Sequence, residues 1–539
     1  MKLAAIFSDG MVLQRDKDIY IFGESEISET IRIAIDNIEV SHMVQPGKWV
    51  IGLPAHAAGG PYEMVISTIT GPEEDKRTDV VKVIKDILYG EVWLDNGQSN
   101  IEFELQNSLG GAEELKSADY PEIRYFKSIK APVIDDDFLR EEEKLCWHKC
   151  RNGDFAEMSG VGYYFSQKLY KSLGVPVGIV DCYQGGTSIS CWLQESILES
   201  VPEGRIYLEE FKRLTDGQTN EEYLKLLNSY NEMVEEHLRL AASAKKDNPD
   251  ITTEELREIA GDYPWPPPMG LASAFRPGGL IETMVKRIAP YTVRGIIYYQ
   301  GEEDAVRNYE DLQAKSMLDN MDYEGVYQKL LRKLVIQYRK LFCEEALPIV
   351  VVQLPMFISA TDEDVRKWAY IREAQEKVCK EYDAMTLVPL IDMGEYDNVH
   401  PVDKRSPGER IATEVLRDIY ADEYDGAVHM SIAEVYRFDG GVVLGFENTF
   451  GDIVLKENKL IDIRKECTGS NVGDVSGLEI ETAGTWKVPD RAEIDKEKII
   501  IYEDEDVTGV RYGFFDYGKV NIYNNRSIPL APFRVEVTA

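Results

Sequence analysis

Val177-Gly-Ile-Val-Asp-Cys-Tyr183, running directly into Gln184-Gly-Gly186-Thr187, is the stretch on which the fold turns. It is a near-continuous apolar run that stops at a glycine pair, which is how a strand buried on both faces reads. Just upstream, Val161, Phe165, Leu169 and Leu173 recur every four residues and Gly174 follows them, so a helix with one apolar stripe ends there. Helix, short loop, fully apolar strand is the repeat unit of a parallel sheet.

The same alternation extends in both directions. Upstream, Val81–Tyr89 and Glu91-Val-Trp-Leu-Asp95 read as strands leading into Asn96-Gly-Gln-Ser-Asn100. Downstream come a helical stretch near 279–288, the strand Gly295-Ile-Ile-Tyr-Tyr299, a helix over 323–342, the strand over 348–353, a helix over 367–381 and the strand over 385–391. The reading is an α/β domain, a parallel sheet with helices on both faces, over residues 86–425. Between about 199 and 270 charged, helix-favouring sequence interrupts it, ending in Tyr263-Pro-Trp-Pro-Pro-Pro268; this predicts a helical insertion, either a rim of the cleft or a surface appendage. Residues 1–85, with short β segments at Ile19–Phe22, Ile31–Ile35, Trp49–Ile51 and Tyr62–Ile66, form an N-terminal β domain, and residues 426–539 a C-terminal one.

Three sheet-edge loops are chemically unusual: Gly97-Gln-Ser99, Gly185-Gly-Thr187 and Gln300-Gly-Glu302. Each follows a strand, and open α/β sheets bind their ligands at that carboxyl edge. Six histidines make elimination feasible, and only His400, in Asp397-Asn-Val-His400-Pro401, lies just past such a strand. An Asp three residues earlier can reach the ring, fix its tautomer and leave the other nitrogen to take a proton. Taken alone, the four residues also fit a surface turn. Ser99 changes that balance, because a hydroxyl nucleophile needs an adjacent base and N–H groups aimed at the developing oxyanion. The order Ser, Asp, His is that of α/β-hydrolases, but Gly97-Gln-Ser99-Asn lacks the glycine two residues after serine that a nucleophile elbow requires.

The blocks Gly97-Gln-Ser99-Asn100, Tyr183-Gln-Gly-Gly186-Thr187, Tyr299-Gln-Gly-Glu302 and Asp397-x-x-His400-Pro401 resemble the SGNH hydrolase superfamily, and within it the sialate O-acetylesterase family of carbohydrate acetylesterases. Met11-Val-Leu-Gln-Arg15, Trp368-x-x-Ile371-Arg-Glu-Ala-Gln375, Val510-Arg-Tyr512 and Asn524-x-x-Ser-Ile-Pro529-x-Ala-Pro-Phe533 extend the likeness over most of the chain. The resemblance implies an SGNH-like fold and an acetyl-enzyme on Ser99, with His400 as base and then acid and Asp397 as its orienter. It implies an oxyanion hole from Ser99, the Gly185-Gly186 loop and an amide. Where relatives usually read Gln-Gly-Glu-x-Asn this chain has Gln300-Gly-Glu-Glu-Asp304, and Asp304 has no amide hydrogen, so Gln300 is the expected donor. Asn100, Glu302, Arg276 and Arg307 are the candidate substrate-binding residues, with Arg372 a further cation for a sialate carboxylate.

Composition narrows the partners. With 60 Lys+Arg against 96 Asp+Glu the net charge is −36, which disfavours nucleic acid and anionic membranes. The expected partner is an O-acetylated sugar or oligosaccharide; a homo-oligomer is left open. No window reaches the ~18 apolar residues of a membrane span, and no leader pattern opens the chain, so a cytoplasmic location is expected. Seven cysteines fit reduced thiols, and the Cys146-Trp-His148-Lys-Cys150 run has no second pair to complete a zinc site, so neither a metal nor a cofactor is expected. Acetylated xylo- or manno-oligosaccharides are a rival substrate for the same chemistry. A catalytically inactive glycan-binding protein is the rival from another class; a lipase is disfavoured because no apolar segment flanks Ser99.

Overall fold

The computed structural model describes residues 1–70, 77–248, 251–306, 325–420, 428–456 and 471–537. Its central sheet contains β1 (Arg77–Gly97), β2 (Asp119–Lys127), β3 (Trp147–Arg151), β4 (Val177–Tyr183), β5 (Gly295–Tyr299), β6 (Ile349–Gln353) and β7 (Met385–Pro389), in the order β3-β2-β4-β1-β5-β6-β7. All of these neighbours are parallel except β3, which pairs antiparallel with β2. Every residue of β4, β5 and β6 is buried, which is why these strands read as unbroken apolar runs. The helices include α1 (Gly160–Leu173), α2 (Asn220–Asp247), α3 (Thr253–Ala260), α4 (Gly325–Leu341), α5 (Lys367–Glu381) and α6 (Arg405–Asp418), with others between, among them Pro202–Thr215. Ser159 caps α1 by accepting from Gly162 N, and Gly174, at φ 66°, closes it in the left-handed conformation.

The N-terminal module is not set apart from this sheet. Val81–Tyr89 and Glu91–Asp95, expected as two strands, are one 21-residue strand. Its first half pairs antiparallel with Gly59–Thr70, and its last residues lie between β4 and β5. Gly90, which reads as a break, is there for proximity: a Cβ would collide with the Pro176 carbonyl, whose oxygen accepts from Glu91 N at 2.8 Å. One hydrophobic core runs from Ile6 through the α/β domain.

The C-terminal residues build two four-stranded antiparallel sheets among the described residues, one holding Gly441–Glu447 and Lys498–Tyr502, the other Leu478–Thr482 and Val507–Tyr512. Their core takes in Met356, Ile358 and Ile391 from loops of the α/β domain. The insertion is helical as expected. α2 and α3 both start on capping boxes, Thr219 with Glu222 and Thr252 with Glu255. The Cys146–Cys150 run lies at edge strand β3, where Cys150 is buried and Cys146 exposed; no cluster of three or more metal-ligating side chains occurs among the described residues. No helix among them is long and apolar enough to cross a membrane.

Candidate active site

The carboxyl end of β1 decides where Ser99 goes. Gly97, at φ 139°, lies so close to β5 that a Cβ would strike the Tyr299 carbonyl. Gln98 N donates to that same carbonyl at 3.1 Å, and Gln98 Oε1 accepts from Gly301 N at 3.2 Å and Glu303 N at 3.3 Å. This glutamine ties the β1 and β5 loops together, and the chain turns into the four-residue helix Ser99–Glu102. Ser99 occupies its first position, where the backbone N–H has no partner inside the helix.

His400 arrives from the loop after β7. Ser99 Oγ lies 2.7 Å from His400 Nε2, although 301 positions separate them in sequence. Burial pushes the imidazole pKa down to about 4, with the Lys404 ammonium a second cause, so the ring is neutral at pH 7 and free to accept a proton.

Asp397 departs from expectation. It stands at φ 54°, and its Oδ1 accepts from Ala360 N at 2.9 Å and from Arg257 Nη2 at 3.1 Å. Among the described residues no hydrogen bond joins it to the imidazole. Two donors, an amide from the loop after β6 and a guanidinium from α3 of the insertion, hold Oδ1 of this carboxylate.

The four expected oxyanion donors divide evenly. The N–H groups of Ser99 and Gly186 donate to nothing among the described residues. Gly185 packs against the nucleophile, since a Cβ there would lie 3.4 Å from Ser99 Cβ, but its N–H donates to the Glu102 carboxylate, which also pairs with Lys130. Gln300 is a correction. It is fully buried; its Nε2 faces Asp304 Oδ2 at 2.6 Å, Thr187 O at 3.1 Å and Gln98 Oε1 at 3.1 Å, so both amide hydrogens are committed. Asp304 in turn accepts from Tyr207 Oη at 2.5 Å and from Ile189 N at 2.8 Å. This pair holds the glycine loop in place from beneath.

Asn100 and Glu302, expected to touch substrate, are corrected likewise. Asn100 is fully buried; it donates to Glu302 Oε1 at 2.6 Å and Val399 O at 3.0 Å, and accepts from Lys404 Nζ at 2.7 Å. The three form a buried Glu–Asn–Lys relay linking the loops of Ser99, Gln300 and His400. Burial raises Glu302 to about 7 and lowers Lys404 to about 7. Arg276 is half-buried and donates to Pro132 O at 3.2 Å. Arg372 is fully buried against carbonyls of the C-terminal module, including Phe515 O, so it faces no cleft. Arg307 lies outside the described residues.

Residues that the sequence did not single out complete the site. Lys404 sits four positions after His400, a spacing without a chemical signature. Arg257 and Trp265 come from the insertion; a Cβ on Gly186, at φ 68°, would collide with the Trp265 ring. The insertion therefore meets Gly186 through Trp265 and Asp397 through Arg257. The run of prolines around Trp265 was the one signal available.

Residues 273–417 match the family model described as carbohydrate esterase, sialic acid-specific acetylesterase. The chain is 26% identical to the sialate O-acetylesterase of Rattus norvegicus over 240 residues, 41% of this chain and 43% of that protein. It is 24% identical to the sialate O-acetylesterase of Mus musculus over 324 residues, 57% of this chain and 53% of that protein. It thus spans about half the length of the curated relatives it matches. Among solved structures, a carbohydrate acetylesterase from Xanthomonas citri aligns over 99% of both chains with a TM-score of 0.69 at 23% identity, a likeness of fold.

Proposed function

We propose that this chain, which carries a sialic acid-specific acetylesterase domain over residues 273–417, is an SGNH-type serine esterase that removes O-acetyl groups from carbohydrate. The observation that carries this reading is the 2.7 Å approach of Ser99 Oγ to a neutral, half-buried His400 Nε2 beside two uncommitted N–H groups. Ser99 attacks the acetyl carbonyl as His400 takes its proton. The N–H groups of Ser99 and Gly186 stabilise the oxyanion, His400 returns the proton to the departing sugar oxygen, and the acetyl stays on Ser99. A water deprotonated by the same ring then releases acetate. A positioned base contributes roughly 10²–10⁴-fold and each oxyanion donor some 10²–10³-fold. Asp397, three residues from the base, holds the His400 loop through Ala360 N and Arg257.

Sialic acid and neutral oligosaccharides of xylose or mannose remain rival sugars for one chemistry. Acetate release from O-acetylated sialic acids and xylo-oligosaccharides, with Ser99→Ala as control, is the test. The parent protein is expected to turn over at least one class, and Ser99→Ala to lose at least about 10³-fold. A parent protein inert on every acetyl ester overturns the esterase reading in favour of an inactive glycan-binding protein.

A further inference from the structure

We infer that Trp265 is the sugar platform of this site, the surface on which a pyranose ring stacks while its acetyl ester reaches Ser99; the inference rests on the esterase reading and names the substrate side of it. Trp49, Trp93, Trp147, Trp192 and Trp368 are buried, whereas Trp265 is 45% exposed. Its position explains the exposure. The ring packs on Gly186, and the preceding Gly185 packs on Ser99, so the indole and Ser99 flank consecutive residues of one loop.

The mount is rigid. Pro264, Pro266, Pro267 and Pro268 flank the tryptophan and fix their own φ angles. Tyr230 Oη donates to Pro264 O at 3.0 Å, and Phe275 meets the indole edge-on at a centroid distance of 5.7 Å. A surface held still in advance loses little conformational freedom when a ligand lands on it. The indole Nε1–H donates to nothing among the described residues and is not enclosed, which leaves a donor beside the stacking face for a hydroxyl. Arg257 pins the same insertion to Asp397 at 3.1 Å. The insertion thus bounds the site at two points, one aromatic and one cationic. An aromatic face with an adjacent donor suits the apolar C–H face and hydroxyl rim of a pyranose.

The test uses full-length protein and compares an O-acetylated oligosaccharide with ethyl acetate, which has no ring to stack. Trp265→Ala is expected to lower the ratio of kcat/KM for the sugar ester to that for ethyl acetate by about ten-fold, the loss lying in KM, and Trp265→Phe to recover most of it. An unchanged ratio overturns the inference, as does an equal loss with Phe and Ala. Titration of the deacetylated oligosaccharide into Ser99→Ala and Ser99→Ala/Trp265→Ala separates the two readings. Binding that needs Trp265 supports the platform even where hydrolysis fails, and equal binding by both variants rejects it even where hydrolysis succeeds.

Discussion

In the proposed reaction His400 is the base, and its surroundings lower its basicity. Burial is the larger cause and Lys404 the second, and together they bring its pKa to about 4. The reactive form is the neutral ring, so kcat/KM is expected to be flat through neutral pH and to fall as pH drops through about 4. Replacing Lys404 by Met removes a cation that disfavours the imidazolium. The pKa of His400 then rises, and the acid-side midpoint of the pH–rate profile moves to higher pH; a midpoint that stays in place would show that Lys404 does not act on the base. The same change removes the donor to the buried Asn100 Oδ1, for which the expected cost is about 1–3 kcal/mol in denaturant unfolding. Ser99 and His400 were legible in sequence because each follows a readable strand and their chemistry demands a partner. Gln300 differs from the expected donor because its amide is consumed by Asp304 in the same loop and by Gln98 Oε1 and Thr187 O from loops more than a hundred positions away, whose approach leaves no periodic trace. The grip of Arg257 on Asp397 escaped for the same reason, across 140 positions.

At the scale of elements, the placing of Ser99 depends on how closely β1 and β5 approach. Gly97 permits that approach, and Gln98 and Ser99 follow with no slack between them. Gly97→Ala introduces a Cβ against the Tyr299 carbonyl in a backbone region that L side chains rarely adopt. It is expected to cost about 1–3 kcal/mol, read as a lower urea midpoint, and to reduce kcat by more than that stability loss accounts for. Elements with one dominant period were readable. The four-residue stripe of α1 and the apolar runs of β4 to β6 stand where their patterns put them. The expectation of two strands, one ending at Tyr89 and one starting at Glu91, failed because Gly90 between them lets Pro176 come near without interrupting the ladder.

At the scale of the molecule, the C-terminal module reaches the chemistry through the loop after β6. Phe357 N donates to Asp516 O at 3.0 Å, Trp368 N to Asp516 Oδ1 at 2.6 Å, and Arg366 Nη1 to Phe514 O at 2.6 Å. That loop contains Ala360, whose amide holds Asp397, and Ile358, whose carbonyl accepts from Asp397 N at 3.0 Å. Arg372, fully buried between the two units, is the central fastening. Arg372→Met strips donors from Phe515 and Gly513 and leaves the buried Asp516 carboxylate, already raised to about 6 by burial, without its compensating cation. The expected result is a loss of about 3–5 kcal/mol, together with reduced kcat, because the Asp397 loop loses its support; unfolding and acetate-release assays on the same preparation check both.

Strand β1 belongs to two sheets at once. Cutting the chain ahead of Glu91 would not trim an accessory from an otherwise finished enzyme: it would remove the half of the rod that meets Gly59–Thr70 and free the other half, between β4 and β5, from its anchor. Any homologous recombination or domain graft that respects this architecture must therefore carry the first ninety or so residues along with the serine.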